Sequence, residues 1–274
     1  VVLTPVVDQR WLKEHRREVV LADVRWYSDG RSGREAYEAG HLPGAIFIDL
    51  DTQLAGDASA HAGRHPLPEP ERFARSMAES GIADGDTVVA YDDAGGVMAA
   101  RLVWMLRASG HDAALLDGGV SSYEGELERG RVVRDPATFT ARPWPIERLA
   151  SVEEASDRDN LVFDARDRSR YRGEANPLDP RSGHIPGARS LPCRENLTAG
   201  GTLMAGDQLR QRFLDAGIED AGDVIVYCGS GVTACHDLLA IEHVGLGRGR
   251  LFVGSWSQYA NEPARPAATG DEPG

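Results

Sequence analysis

Short apolar runs alternate with longer amphipathic stretches along this chain. Residues 19–24, 87–91, 113–116, 161–163, 224–227 and 251–253 are β-branched or aliphatic almost throughout and of strand length. Between them, residues 71–80, 97–109, 208–216 and 233–244 space their apolar positions three and four apart, as a helix does. Gly81, Gly110, Gly217 and Gly245 stand where those helices are expected to end. Strands that are apolar on both faces and are separated by helices predict an α/β fold, a parallel sheet covered by helices on both faces.

The pattern occurs twice. VVLADVRWYSDGRSGREAYEAGHLPGAIFIDL in the first half answers to LVFDARDRSRYRGEANPLDPRSGHIPGARSLP in the second. Asp23 and Arg25 match Asp164 and Arg166, and Gly-His41-Leu-Pro-Gly-Ala matches Gly-His184-Ile-Pro-Gly-Ala. Tyr91 and Tyr227, like Tyr123 and Tyr259, are 136 positions apart. A single long repeat of this size means duplicated domains rather than a solenoid. Pro136, Pro143 and Pro145 suggest a linker at 136–150, between domains at 1–135 and 151–265. Residues 266–274, at the end of an apolar-poor stretch that begins at Pro263, read as a loosely packed tail.

Composition narrows the field. The net charge of −13 argues against a nucleic-acid or anionic-membrane partner. No apolar run reaches the roughly 18–20 residues of a membrane span. Three cysteines are too few and too oddly numbered for a disulfide framework, so a reducing, cytoplasmic setting is expected. Their spacing fits no zinc site.

Cys228 is the candidate for chemistry. The strand ending at Tyr227 runs into Cys228-Gly-Ser-Gly-Val-Thr-Ala234 and then into a helix. The N–H groups of such a loop converge into an anion nest, and the helix terminus adds partial positive charge, so the position favours an anionic sulfur. Gly229 and Gly231 let the backbone curl around Sγ. The matching first-half residue is Asp92, and exchange of a thiol for a carboxylate suggests a loop facing solvent or a cleft. Cys193 and Cys235 read as small packing residues.

With Asp-x-Arg, Gly-His-Ile-Pro-Gly-Ala, Cys-Gly-Ser-Gly-Val-Thr-Ala and Gly-Ser-Trp256-Ser in this order, the chain resembles the tandem rhodanese family of thiosulfate and 3-mercaptopyruvate sulfurtransferases over about residues 4–262. The resemblance implies two rhodanese-like domains, the second catalytic and the first not. It implies sulfur transfer through a Cys228 persulfide to cyanide, a thiol or thioredoxin, with no metal or organic cofactor. Arg170 matches an arginine that holds the donor's anionic group. The loop residues Gly229, Gly231, Val232 and Thr233 complete the donor site, and Arg181 is the nearest candidate for a second arginine, a little late in the loop. Ser230 and His41 match two members of a proton relay, with Asp29 as the candidate third. Arg64-His65-Pro-Leu-Pro resembles a segment that faces the active cleft. Gly229-Ser230 resembles the mercaptopyruvate enzymes, whereas thiosulfate enzymes carry Arg-Lys there.

Two other readings compete. A cysteine phosphatase needs an arginine six residues after its cysteine, and Ala234 stands there. A silent rhodanese module used for binding would have no need of an intact cysteine loop.

Overall fold

The computed structural model describes residues 3–174 and 178–274, and the chain divides into two compact units. The first comprises Val1–Gly56, Pro68–Trp144 and Leu197–Leu203; the second comprises Asp57–Leu67, Pro145–Asn196 and Met204–Gly274. Each unit therefore includes a short segment from the other sequence repeat.

The first unit holds a five-stranded sheet of β1 (Val6–Val7), β2 (Val19–Asp23), β3 (Ile46–Phe47), β4 (Thr87–Tyr91) and β5 (Ala113–Leu116). Its order is β1-β5-β4-β2-β3, and every pairing is parallel. Leu21, Val89, Tyr91, Ala114 and Leu116 share one core with Leu12 of the helix Gln9–His15. The intervening Val20, Ala22, Val88, Ala90, Ala113 and Leu115 are buried as well. A strand whose odd and even residues are both buried must be covered on both faces, which is why these runs are apolar without alternation.

The second unit repeats the plan with β6 (Leu161–Asp164), β7 (Arg189–Ser190), β8 (Val224–Tyr227) and β9 (Arg250–Leu251), all parallel, in the order β7-β6-β8-β9. The helix Ala234–His243 is buried from Ala234 through Ile241, so its sequence is apolar on nearly every side. Gly81 and Gly217 end the helices before them at φ 76 and 91, the left-handed region that glycine enters without strain.

The duplication holds at the level of single bonds. Leu42 N–H donates to the Tyr91 hydroxyl at 3.0 Å and Ile185 N–H to that of Tyr227 at 3.1 Å. Arg25 pairs with Asp23 at 2.6 Å and donates to Gly40 O, as Arg166 pairs with Asp164 at 2.6 Å and donates to Gly183 O. The Asp-x-Arg pairs thus fasten each sheet to the loop entering Gly-His.

The C-terminal tail corrects the sequence-based expectation of loose packing. Ala268 and His184 exchange backbone hydrogen bonds of 2.9 and 3.0 Å, Pro273 O accepts from Gly187 N–H, and Pro266 O accepts the Tyr259 hydroxyl. Glu128 and His41 pair in the same way in the first unit. Prolines limit regular structure here without preventing docking, because their carbonyls still accept.

Candidate active site

Cys228 follows directly on β8 and is 1% exposed. Gly231 N–H donates to its Sγ at 3.1 Å. Gly231 stands at φ 75, and a Cβ there would run into Val253 O, so the turn that aims this N–H at sulfur requires glycine. Val232 is buried and Thr233 half-buried, and Thr233 is the N-cap residue of the helix Ala234–His243.

The Gly-Ser-Trp-Ser segment fastens the loop from below. Cys228 N–H donates to Ser255 Oγ at 3.1 Å, Trp256 N–H to Cys228 O at 3.0 Å, and Ser257 N–H to Gly229 O at 2.9 Å. Ser257 Oγ in turn accepts Arg64 N–H at 3.0 Å. That contact seats the segment Asp57–Leu67, which belongs to this unit although it comes from the first repeat.

Two arginines that share one carboxylate flank Gly229. A Cβ at residue 229 would lie 3.1 Å from Arg64 Nη2 and 3.3 and 3.4 Å from Arg170 Nη2 and Nη1. Glycine here therefore leaves room for both guanidinium groups beside the cysteine loop. Arg64 also donates to Gly229 O at 3.2 Å and pairs with Asp179, whose other oxygen lies 3.5 Å from Arg170. Burial, and then the neighbouring Arg166, push the Arg170 pKa down, and its Nε has no hydrogen-bond partner among the described residues. A half-buried cation whose Nε–H lacks a partner among the described residues favours an incoming anion.

Ser230 Oγ and His65 Nδ1 are 2.7 Å apart. His65 is the histidine brought to the loop serine. His41, expected in that role, donates its Nδ1–H to Tyr37 O at 2.9 Å and stacks on the Tyr37 ring at 4.1 Å within the first unit. His184 does the same with Tyr171, at 2.8 and 3.7 Å. Both histidines pin their turns. Asp29 is held by Arg31 at 2.9 Å on the surface of the first unit. Arg181 is also placed differently from the expectation: its guanidinium donates to the carbonyls of Tyr259, Ala260, Glu262 and Arg265, which ties down the end of the helix Ser255–Tyr259.

Asp92 corrects the idea that this loop position faces solvent. It is fully buried, and its carboxylate accepts N–H groups from Ala94, Gly96, Met98 and Ala99 at 2.7–2.9 Å. At the matching place in the first unit, four N–H groups thus surround a carboxylate in place of a thiol. Because the Met98 and Ala99 N–H groups are turned onto this carboxylate, the helix begins at Ala100 instead of residue 97. The other two cysteines are buried: Cys235 Sγ donates to Gly231 O at 3.4 Å, and burial pushes the Cys193 thiol well up.

The model of the rhodanese-like domain matches residues 8–126 and 149–262. The chain belongs to the rhodanese-like family. A Pseudomonas aeruginosa relative, provisionally named 3-mercaptopyruvate sulfurtransferase, is 36% identical over 266 residues, covering 93% of each chain. A Mycobacterium tuberculosis relative, provisionally named thiosulfate sulfurtransferase, is 36% identical over 260 residues, covering 92% of this chain and 91% of its own. The solved 3-mercaptopyruvate sulfurtransferase of Leishmania major superposes with a TM-score of 0.85 at 30% identity, over 93% of this chain and 74% of that one. This rhodanese-like chain is an enzyme of the sulfurtransferase class, and its partners are a sulfur donor and a sulfur acceptor. No helix among its described residues is long and apolar enough to cross a membrane.

Proposed function

We propose that Cys228 carries sulfur as a persulfide, that 3-mercaptopyruvate is the preferred donor, and that thiosulfate is a weaker one. The observation that carries this reading is the Gly231 N–H directed at Sγ at 3.1 Å, in a loop flanked by Arg64 and Arg170. The second unit is then the catalytic one, and the first, with Asp92 in the nest, is not.

The chemistry is a double displacement. The Cys228 thiolate attacks the donor sulfur; an S–S bond forms and the C–S bond of mercaptopyruvate breaks. Its electron pair leaves on carbon as the pyruvate enolate, which takes up a proton. With thiosulfate the S–S bond of the donor breaks and sulfite leaves without needing one. The outer sulfur of the persulfide, once deprotonated, is an anion that the loop N–H groups stabilise. Cyanide or a thiol, thioredoxin among the candidates, attacks that outer sulfur and returns the Cys228 thiolate.

The side chains divide this work. Arg170, whose Nε–H has no partner among the described residues, holds the donor carboxylate, and Arg64 lies beside it. Ser230 and His65 pass the proton that the enolate route requires, in place of the relay expected through His41. Steady-state kinetics with both donors test the reading: kcat/KM is higher for 3-mercaptopyruvate, and Arg170→Ala lowers it for both donors by roughly ten- to a hundredfold. A wild-type preference for thiosulfate overturns the donor assignment.

A further inference from the structure

Asp179 has no part in the chemistry above, yet it is the charged group that both donor-side arginines share. Its side chain is 1% exposed, and its two oxygens face Arg64 and Arg170. A buried carboxylate is costly to keep unless it is needed where it stands.

Its place in the duplication points the same way. The pinned histidine follows its tyrosine by 4 positions in the first unit and by 13 in the second. The extra length lies only in the unit with Cys228, and it carries Asp179 to the cysteine loop. In the first unit the counterpart of Arg170, one residue before the tyrosine, is Ala36. The arginine and the loop bearing its carboxylate thus occur together, in the repeat that has the thiol.

Arg166 is neutralised by Asp164 at 2.6 Å. Arg64 and Arg170 supply two positive charges, Asp179 removes one, and the Cys228 thiolate balances the other. A donor with one negative charge then leaves the occupied site at a net −1 and a dianion leaves it at −2, so the repulsion among its charges is larger with the dianion. We infer that Asp179 is a specificity-determining residue, which sets the site to accept monoanionic 2-oxo thiols over dianionic sulfur donors such as thiosulfate. The inference rests on the donor site proposed above.

The test is Asp179→Asn, with Asp179→Glu as the charge-conserving control. In the Asn variant, the ratio of kcat/KM for thiosulfate to that for 3-mercaptopyruvate should rise roughly tenfold, mainly through a lower KM for thiosulfate. The Glu variant should keep the wild-type ratio. A role in positioning alone would depress both donors equally in the Asn variant, and an unmoved ratio would overturn the inference. Should the Asn variant fail to fold, protection of wild-type Cys228 from alkylation decides: sulfate should protect no better than formate, and stronger protection by sulfate overturns the inference. Mass analysis separates the two levels. Wild type that takes no sulfur from either donor sinks the donor site itself, whereas loading with an unmoved ratio sinks only the role of Asp179.

Discussion

Ser255 accepts the Cys228 N–H at 3.1 Å while its own backbone stands at φ 52, the left-handed region. Gly119 holds the matching place in the first unit at φ 53. A non-glycine residue in this region costs on the order of 1–3 kcal/mol. The second unit tolerates that strain and gains a hydroxyl that satisfies the buried N–H of Cys228. Ser255→Ala should keep the strain and lose the bond, destabilising the protein by about 1–3 kcal/mol in urea unfolding. Ser255→Gly should be less destabilised, since the strain is relieved, and both should transfer sulfur more slowly. An Ala variant as stable as wild type would refute this role.

The hydrogen bond between Ser230 and His65 predicts a split between donors. Mercaptopyruvate needs a proton at its leaving carbon and thiosulfate does not. Ser230→Ala and His65→Ala should each lower kcat for 3-mercaptopyruvate by roughly a hundredfold, the lower end of general acid–base effects, and leave thiosulfate turnover close to wild type. Equal losses on both donors would mean that the pair only braces the loop. His41→Ala should instead act on the stability of the first unit.

Asp237 predicts a pH dependence of stability. It is fully buried in the helix that follows the cysteine loop, and burial raises its pKa to about 8. Asn196 donates to one oxygen at 2.6 Å, and the other has no hydrogen-bond partner among the described residues. Of the charged groups facing it, Arg212 lowers the pKa while Asp164 and Glu195 raise it. Unfolded, the carboxyl loses its proton near pH 3.8; folded, it keeps it until about 8. Between those limits the native state binds more protons, so this contribution is complete below the first and is lost as pH rises through the second. The stability of Asp237→Asn relative to wild type should therefore increase from about pH 4 to about pH 8, by urea unfolding at several pH values. A difference that does not vary with pH would contradict the assignment.

The sheets were largely legible in the sequence, because β4, β5 and β8 occupy the expected residues as unbroken apolar runs. The four two-residue strands β1, β3, β7 and β9 are too short to carry a period, and their parallel partners define them; β9 lies at Arg250–Leu251 where 251–253 was expected. At the site, the place of Cys228 between β8 and the helix Ala234–His243 was legible because strand, glycine-bearing loop and helix are contiguous. The contact of Ser230 with His65 spans 165 positions, and no local pattern encodes such a distance; the only signal was the Arg64-His65-Pro-Leu-Pro segment. Asp179 in a proline-flanked loop looks like an ordinary solvated acid until Arg64 and Arg170 are placed on it. Asp92 misled because a carboxylate suggests solvent, whereas four backbone N–H groups replace water around it.

The most direct measurement is the intact mass of the protein after brief treatment with 3-mercaptopyruvate and removal of excess donor. Wild type should gain one sulfur atom and lose it on addition of cyanide, Cys235→Ser and Cys193→Ser should behave likewise, and Cys228→Ser should gain none. Sulfur retained by Cys228→Ser, or absent from wild type and Cys235→Ser alike, would contradict a persulfide at Cys228.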